Sequence, residues 1–257
     1  MRRQITIRIY LINLAVALFF GAFLREQFVG LFNANVTLTL AERFAFSLRP
    51  VNFAAVTVFA LIASAVVVRR LRPLLRYVSG KGGGLTRARK AAIGVPWMLI
   101  AVHMVMWFIG VTAVYWLVYG WDSPGGIGYF KSLMNSLATG MITGLTTALA
   151  INVVLLPAKQ ELRMTEVYSD ERDPFIKNKD YLILLTFIVN AAVFFEHVAS
   201  FYSASVSIPP ILENTVVPTL LIGGVYGGLV WFLLYLSRRE NLVQFDFIEA
   251  RMNDLNR

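Results

Sequence analysis

Residues 133–156 read Leu-Met-Asn-Ser-Leu-Ala-Thr-Gly-Met-Ile-Thr-Gly-Leu-Thr-Thr-Ala-Leu-Ala-Ile-Asn-Val-Val-Leu-Leu, without one charged side chain. As a helix at 1.5 Å per residue this stretch crosses the ~30 Å hydrocarbon core of a bilayer. It also carries Asn135, Thr139, Thr143, Thr146, Thr147 and Asn152, more polar groups than a helix surrounded by lipid has reason to keep. The stretch is therefore expected to span a membrane with protein or water around it.

Comparable apolar blocks occupy residues 9–24, 51–68, 93–119, 181–201 and 215–236. Each approaches the ~20 residues that a spanning helix needs, and an isolated strand cannot satisfy its backbone in lipid. The expected fold is all-α: a polytopic bundle of six transmembrane helices over residues 1–237, with a short cytoplasmic helix over 238–257. Only 15% of the 257 residues are charged, against about 25% in soluble domains. The first block leads directly into Arg25-Glu26 with no small-x-small cleavage site, so it is expected to remain as an anchor.

The 24 Lys and Arg residues set the orientation, because positive residues stay on the cytoplasmic side. Twenty fall at the N-terminus, in the second and fourth connections and in the tail; only Arg25, Arg43, Arg49 and Lys131 fall on the other side. Both termini are thus expected in the cytoplasm. The net charge of +9 is distributed between apolar blocks rather than on a solvated reading face, so nucleic acid is not an expected partner.

The connections are expected to differ in character. The first contains the runs around Phe28–Phe32 and Phe44–Phe46 and is expected to lie on the outer leaflet. Ser79-Gly80-Lys81-Gly82-Gly83-Gly84 in the second lacks the spacing of a phosphate loop and reads as a flexible hinge. The fourth, residues 157–180, mixes both signs of charge and reads as a solvated helix and turn.

Ionisable residues within spans are functional candidates by default, and here they are His103, Glu196 and His197. His103 falls near mid-bilayer and His197 about one turn from the outer surface, a separation too large for one haem iron to bridge. With Asn135, Thr139 and Thr143 these three form the candidate ligand or proton site. There is no cysteine, no His-Glu-x-x-His and no Gly-x-Ser-x-Gly. No catalytic residue, metal or cofactor is therefore expected, and no enzymatic activity.

Gly140 and Gly144, and the set Gly223, Gly224, Gly227 and Gly228, have the small-xxx-small spacing that lets helix backbones approach, within one chain or between two copies. In the tail, Phe245, Ile248, Met252 and Leu255 recur at three- and four-residue steps. That pattern suits a signalling helix continuing from the membrane or an amphipathic helix lying on it.

The segments Arg70-Leu71-Arg72-Pro73-Leu74, Arg87-Ala88-Arg89-Lys90-Ala91-Ala92 with Pro96, Trp107, and the Thr- and Gly-rich fourth block ending Leu155-Leu156-Pro157 give the chain a likeness. It resembles the six-span membrane sensor regions of bacterial class III adenylate/guanylate cyclases of the HAMP-linked type. The resemblance spans about residues 8–240. It implies a sensor in a bacterial inner membrane, of a kind in which an effector domain follows the sixth span; here a detached sensor, without that domain, is expected. The expected function is a sensory or regulatory module that signals through its C-terminal helix to cytoplasmic partners, as a homo-oligomer or beside another membrane protein. The alternatives are a small-solute transporter or its membrane subunit, and a structural assembly subunit.

Overall fold

The computed structural model describes residues 2–24, 50–119, 126–162, 174–205, 220, 224, 227, 228, 230–239 and 252. These are helical apart from short turns, and no strand occurs among them. Helix α1 (Arg2–Val16) passes into a π-helical stretch, Ala17–Leu24. It is followed by α2 (Pro50–Arg70), the short α3 (Arg72–Val78), α4 (Leu85–Tyr119), α5 (Gly126–Glu161) and α6 (Pro174–Ser205). Five helices are long and apolar enough to cross a membrane, over Arg3–Phe20, Phe53–Arg70, Leu85–Gly110, Leu133–Glu161 and Asn178–Glu196. This is a multi-pass membrane protein. Of the sixth apolar block, Leu220, Gly224, Gly227, Gly228 and residues 230–239 are described, all helical.

The helices overrun the apolar blocks that announced them. Helix α4 begins eight residues before position 93, and α5 continues past Leu156 to Glu161. Beyond the hydrocarbon, polar residues keep the helix because its backbone bonds are local. Proline marks starts rather than breaks: Pro50 and Pro174 are first residues of helices and Pro73 is in the first turn of α3, where the missing N–H removes no bond. Pro96 and Pro157 lie inside α4 and α5, as membrane helices tolerate.

Helix α5 is the axis of the bundle. Within its span 72% of the residues are buried by protein, against 22–28% in each of the other four. It packs along α4 and also touches α1 and α6, while α2 packs on α1 and α4. The cause is small residues: a methyl group added to Gly144 would lie 2.7 Å from Ile100 Cα, and one on Gly140 3.0 Å from Met104 Cα. Only hydrogen at these two positions lets the α4 and α5 backbones meet this closely.

Two features differ from the reading of the loops. The second connection, expected as a hinge, begins as a helix cap. Gly80 N–H donates to Tyr77 O (3.0 Å) and Lys81 N–H to Arg76 O (3.0 Å), with Gly80 at φ 66°. This pattern closes the C-terminus of α3 and needs a residue free to adopt positive φ. The fourth connection is shorter than its charges suggested. Lys159 lies on α5 and Lys179 on α6, and both are buried, at 1% and 2% exposure. Their long stems reach back along the bundle, so a charged letter near an apolar block did not mean a solvated loop.

Candidate functional site

Helices α1, α2 and α4 meet at a polar cluster within the spans. The amide of Asn13 donates through Nδ2 to Ser64 Oγ (2.9 Å) and to Ala60 O (3.1 Å), while Ser64 Oγ donates to Ala60 O (2.8 Å). With Nδ2 so engaged, Oδ1 is turned to His103 Nε2 at 2.8 Å. An amide oxygen only accepts, so Nε2 carries the hydrogen and the imidazole is held in that tautomer. Asn13, Ser64 and His103 are all buried, which is affordable because every polar group of the cluster that faces another helix is paired.

A cavity of about 10 Å3 lies against the ring, lined by Ala17, Val56, Phe59, Ala60, Met106 and Trp107. That is at the lower limit for one water. On the opposite side, α5 presses Gly140 and Gly144 against the His103 backbone and Cβ.

The candidate residues on α5 behave otherwise. Thr139 Oγ1 donates to Asn135 O (2.8 Å), Thr143 Oγ1 to Thr139 O (2.6 Å), and Thr146 Oγ1 to Ile142 O (2.7 Å). These hydroxyls spend their donors on their own helix. Asn135, Thr139 and Thr143 are buried. Thr147 Oγ1 is buried with no hydrogen-bond partner. Across the α5–α6 contact, Asn190 Nδ2 donates to Ala138 O (3.3 Å) and to Thr186 O (2.9 Å).

Glu196 is half-buried on α6, six residues or about 9 Å of helix rise beyond Asn190. Asn190 faces Ala138, whereas His103 faces Gly140 and Gly144, on the other side of Ala138 along α5. The fold therefore does not bring His103 and Glu196 into one site. His197 is on α6 with its side chain outside the described residues, as are Gly223, Phe245, Ile248, Leu255 and the phenylalanine-rich first connection. Met252 is helical and exposed. Gly224, Gly227 and Gly228 are exposed, and among the described residues nothing lies within 4 Å of a methyl group added there. They make no close contact of the kind seen at Gly140 and Gly144 among the described residues.

A larger groove, about 510 Å3, runs between the N-terminal helix and the last segment, lined by Ala15, Val16, Phe19, Phe20, Thr146, Gly228 and Phe232. Its polar side chain is Thr146, whose hydroxyl is already bonded to Ile142 O. The groove offers hydrocarbon contact and little to orient a polar solute.

The basic end of the bundle is tied together by its cations. Arg89 Nε donates to Leu162 O (3.0 Å) just past the end of α5. Lys159 Nζ donates to Asn152 Oδ1 (2.5 Å). Lys179 Nζ donates to Ser237 O (3.3 Å), and Ser237 Oγ returns a hydrogen bond to Asp180 Oδ1 (3.1 Å). The last two fasten the foot of residues 230–239 to the start of α6. Sequence reasoning missed Asn13, Ser64, Lys159 and Lys179 as structural polar residues. Asn13, a lone amide in an otherwise apolar block, was the available signal. No protein-family model, curated protein or solved structure matches this chain.

Proposed function

We propose that the chain is a membrane-embedded regulatory module: a six-span bundle with both termini in the cytoplasm, whose C-terminal helix reports changes in helix packing to cytoplasmic partners. The observation that carries this reading is the reciprocal contact of Lys179 and Asp180 with Ser237. A change in one helix reaches another only through an element that both bias. A two-point attachment at the foot of the last segment passes displacement of α6 into the tail instead of letting it dissipate.

The interior supports regulation over transport. The hydroxyls of Thr139, Thr143 and Thr146 donate within α5, so their hydrogens are already engaged and are not offered to a passing solute. In this reading the chain does the work of the cyclase sensor regions it resembles. The open glycine face at Gly224, Gly227 and Gly228 is where a second copy or another membrane protein would sit.

The test is an output domain, a cyclase or kinase, fused after Leu255. Its activity should respond to some change of condition, and Lys179→Met combined with Ser237→Ala, which removes both points of attachment, should abolish the response without altering insertion. An unchanged response in that variant would show that the contact does not carry the signal. Absence of any response, together with measurable solute flux in proteoliposomes, would replace this reading with transport.

A further inference from the structure

The connection between α2 and α4 is cationic to a degree that orientation alone does not require. From Glu42 to Asp122 the sequence contains no acidic residue between them, yet residues 69–90 hold eight Lys and Arg. Of these, Arg89 is engaged with Leu162 O. Arg69, Arg70, Arg72, Arg76, Lys81 and Arg87 are exposed, as is Lys90. None of these seven makes an ion pair with a described carboxylate.

The cations are mounted on an elbow packed against the bundle. Leu71, Leu74 and Leu75 are buried on one side of the turn from α2 into α3, and Ala88, Ala91 and Ala92 are buried at the start of α4. Arg72 and Arg76, four residues apart, share the outer face of α3. The turn back to α4 is closed by the Gly80 cap, by Ser79 Oγ donating to Leu75 O (2.5 Å), and by Ala88 N–H donating to Gly84 O (3.1 Å). Arg70 lies across α4, its Nη2 3.7 Å from where a methyl group on Gly94 would be.

The elbow joins the ends of two spans, Phe53–Arg70 and Leu85–Gly110, so it sits at the level of the lipid headgroups. We infer that this elbow is a binding site for the headgroups of anionic phospholipids in the same membrane. The chemistry is phosphate recognition by guanidinium and ammonium groups fixed beside, not within, the hydrocarbon. Pre-ordering by the leucine and alanine packing removes part of the entropy that flexible basic tails lose on binding.

The experiment places the full chain in nanodiscs of phosphatidylcholine with and without phosphatidylglycerol and counts retained lipids by native mass spectrometry. The expected result is a salt-sensitive preference for phosphatidylglycerol that falls by roughly fivefold for each charge removed in R72Q/R76Q/K81Q and returns in R72K/R76K. An R238Q/R239Q variant, which removes charge from the same end but not from the elbow, should keep most of the preference. The inference is overturned if phosphatidylglycerol is not preferred, if R238Q/R239Q lowers the preference as much as the elbow variant, or if inorganic phosphate at equal ionic strength abolishes lipid retention altogether, since the site would then take the free anion rather than the headgroup. It is also overturned if the preference appears only in E166Q/D170N/E171Q/D173N, since the elbow would then be held by the chain's own acidic connection.

Discussion

His103 Nε2 donates to Asn13 Oδ1 across 2.8 Å, joining two helices that are 90 residues apart in sequence. Because Asn13 is also bonded to Ser64 and Ala60, one amide holds α1, α2 and α4 in register. Replacing it by leucine keeps the volume but strands the imidazole N–H in a buried setting. Asn13→Leu is expected to cost roughly 1–3 kcal/mol. A double-mutant cycle between Asn13→Ala and His103→Ala should give a coupling of about 0.6–1.7 kcal/mol, the range for hydrogen bonds between membrane helices. Reversible unfolding in mixed micelles measures both, and zero coupling would mean that the contact does not form.

Glycines in this chain should differ sharply in tolerance. At Gly144 a methyl group would come within 2.7 Å of the Ile100 backbone, which can yield only if α4 moves. Gly144→Ala should destabilise by about 1–3 kcal/mol, somewhat more than Gly140→Ala. Gly227→Ala should leave the stability of the single chain within about 0.5 kcal/mol, and a shift confined to oligomeric state would place a partner there. Thermal unfolding with a parallel size measurement separates the two.

Thr147 carries a buried hydroxyl without a partner. Valine has nearly the same shape and no group to strand, so Thr147→Val should be neutral or stabilising by about 1 kcal/mol. A loss of stability in the same assay would reveal a bond to Thr147 that the structure lacks.

Lys159 and Asn152 should respond asymmetrically. Asn152→Leu removes the acceptor of a 2.5 Å bond and leaves the ammonium buried, for a loss of roughly 1.5–3 kcal/mol. Lys159→Met removes the charge itself and substitutes a side chain that packs, so its effect should be smaller or of opposite sign. Equal losses would show that the buried ammonium stabilises the fold through its polar contacts.

The proposed orientation is open to a direct test because the chain has no cysteine. Gly84→Cys, at a position with nothing within 4 Å of the new side chain, should be shielded from an impermeant thiol reagent in intact cells, whereas Ser205→Cys should react. The reverse pattern would invert the topology and remove the cytoplasmic tail from the functional argument.

Apolar length and charge are properties of consecutive residues, so the sequence by itself determined that this is an all-helical membrane protein, and it located five spans that the structure contains. It also marked α5 as the helix with protein on its sides, because lipid cannot satisfy Asn135, Thr139 and Thr143. Which polar groups meet was decided only in three dimensions. Asn13, Ser64 and His103 come from three separate helices, and Lys179 finds Ser237 across 58 residues. The same spacing of glycines meant close packing at Gly140 and Gly144, but at Gly224, Gly227 and Gly228 no described residue lies within 4 Å of an added methyl group. A small residue only permits close approach; the neighbour that arrives is chosen by how the whole bundle buries its side chains.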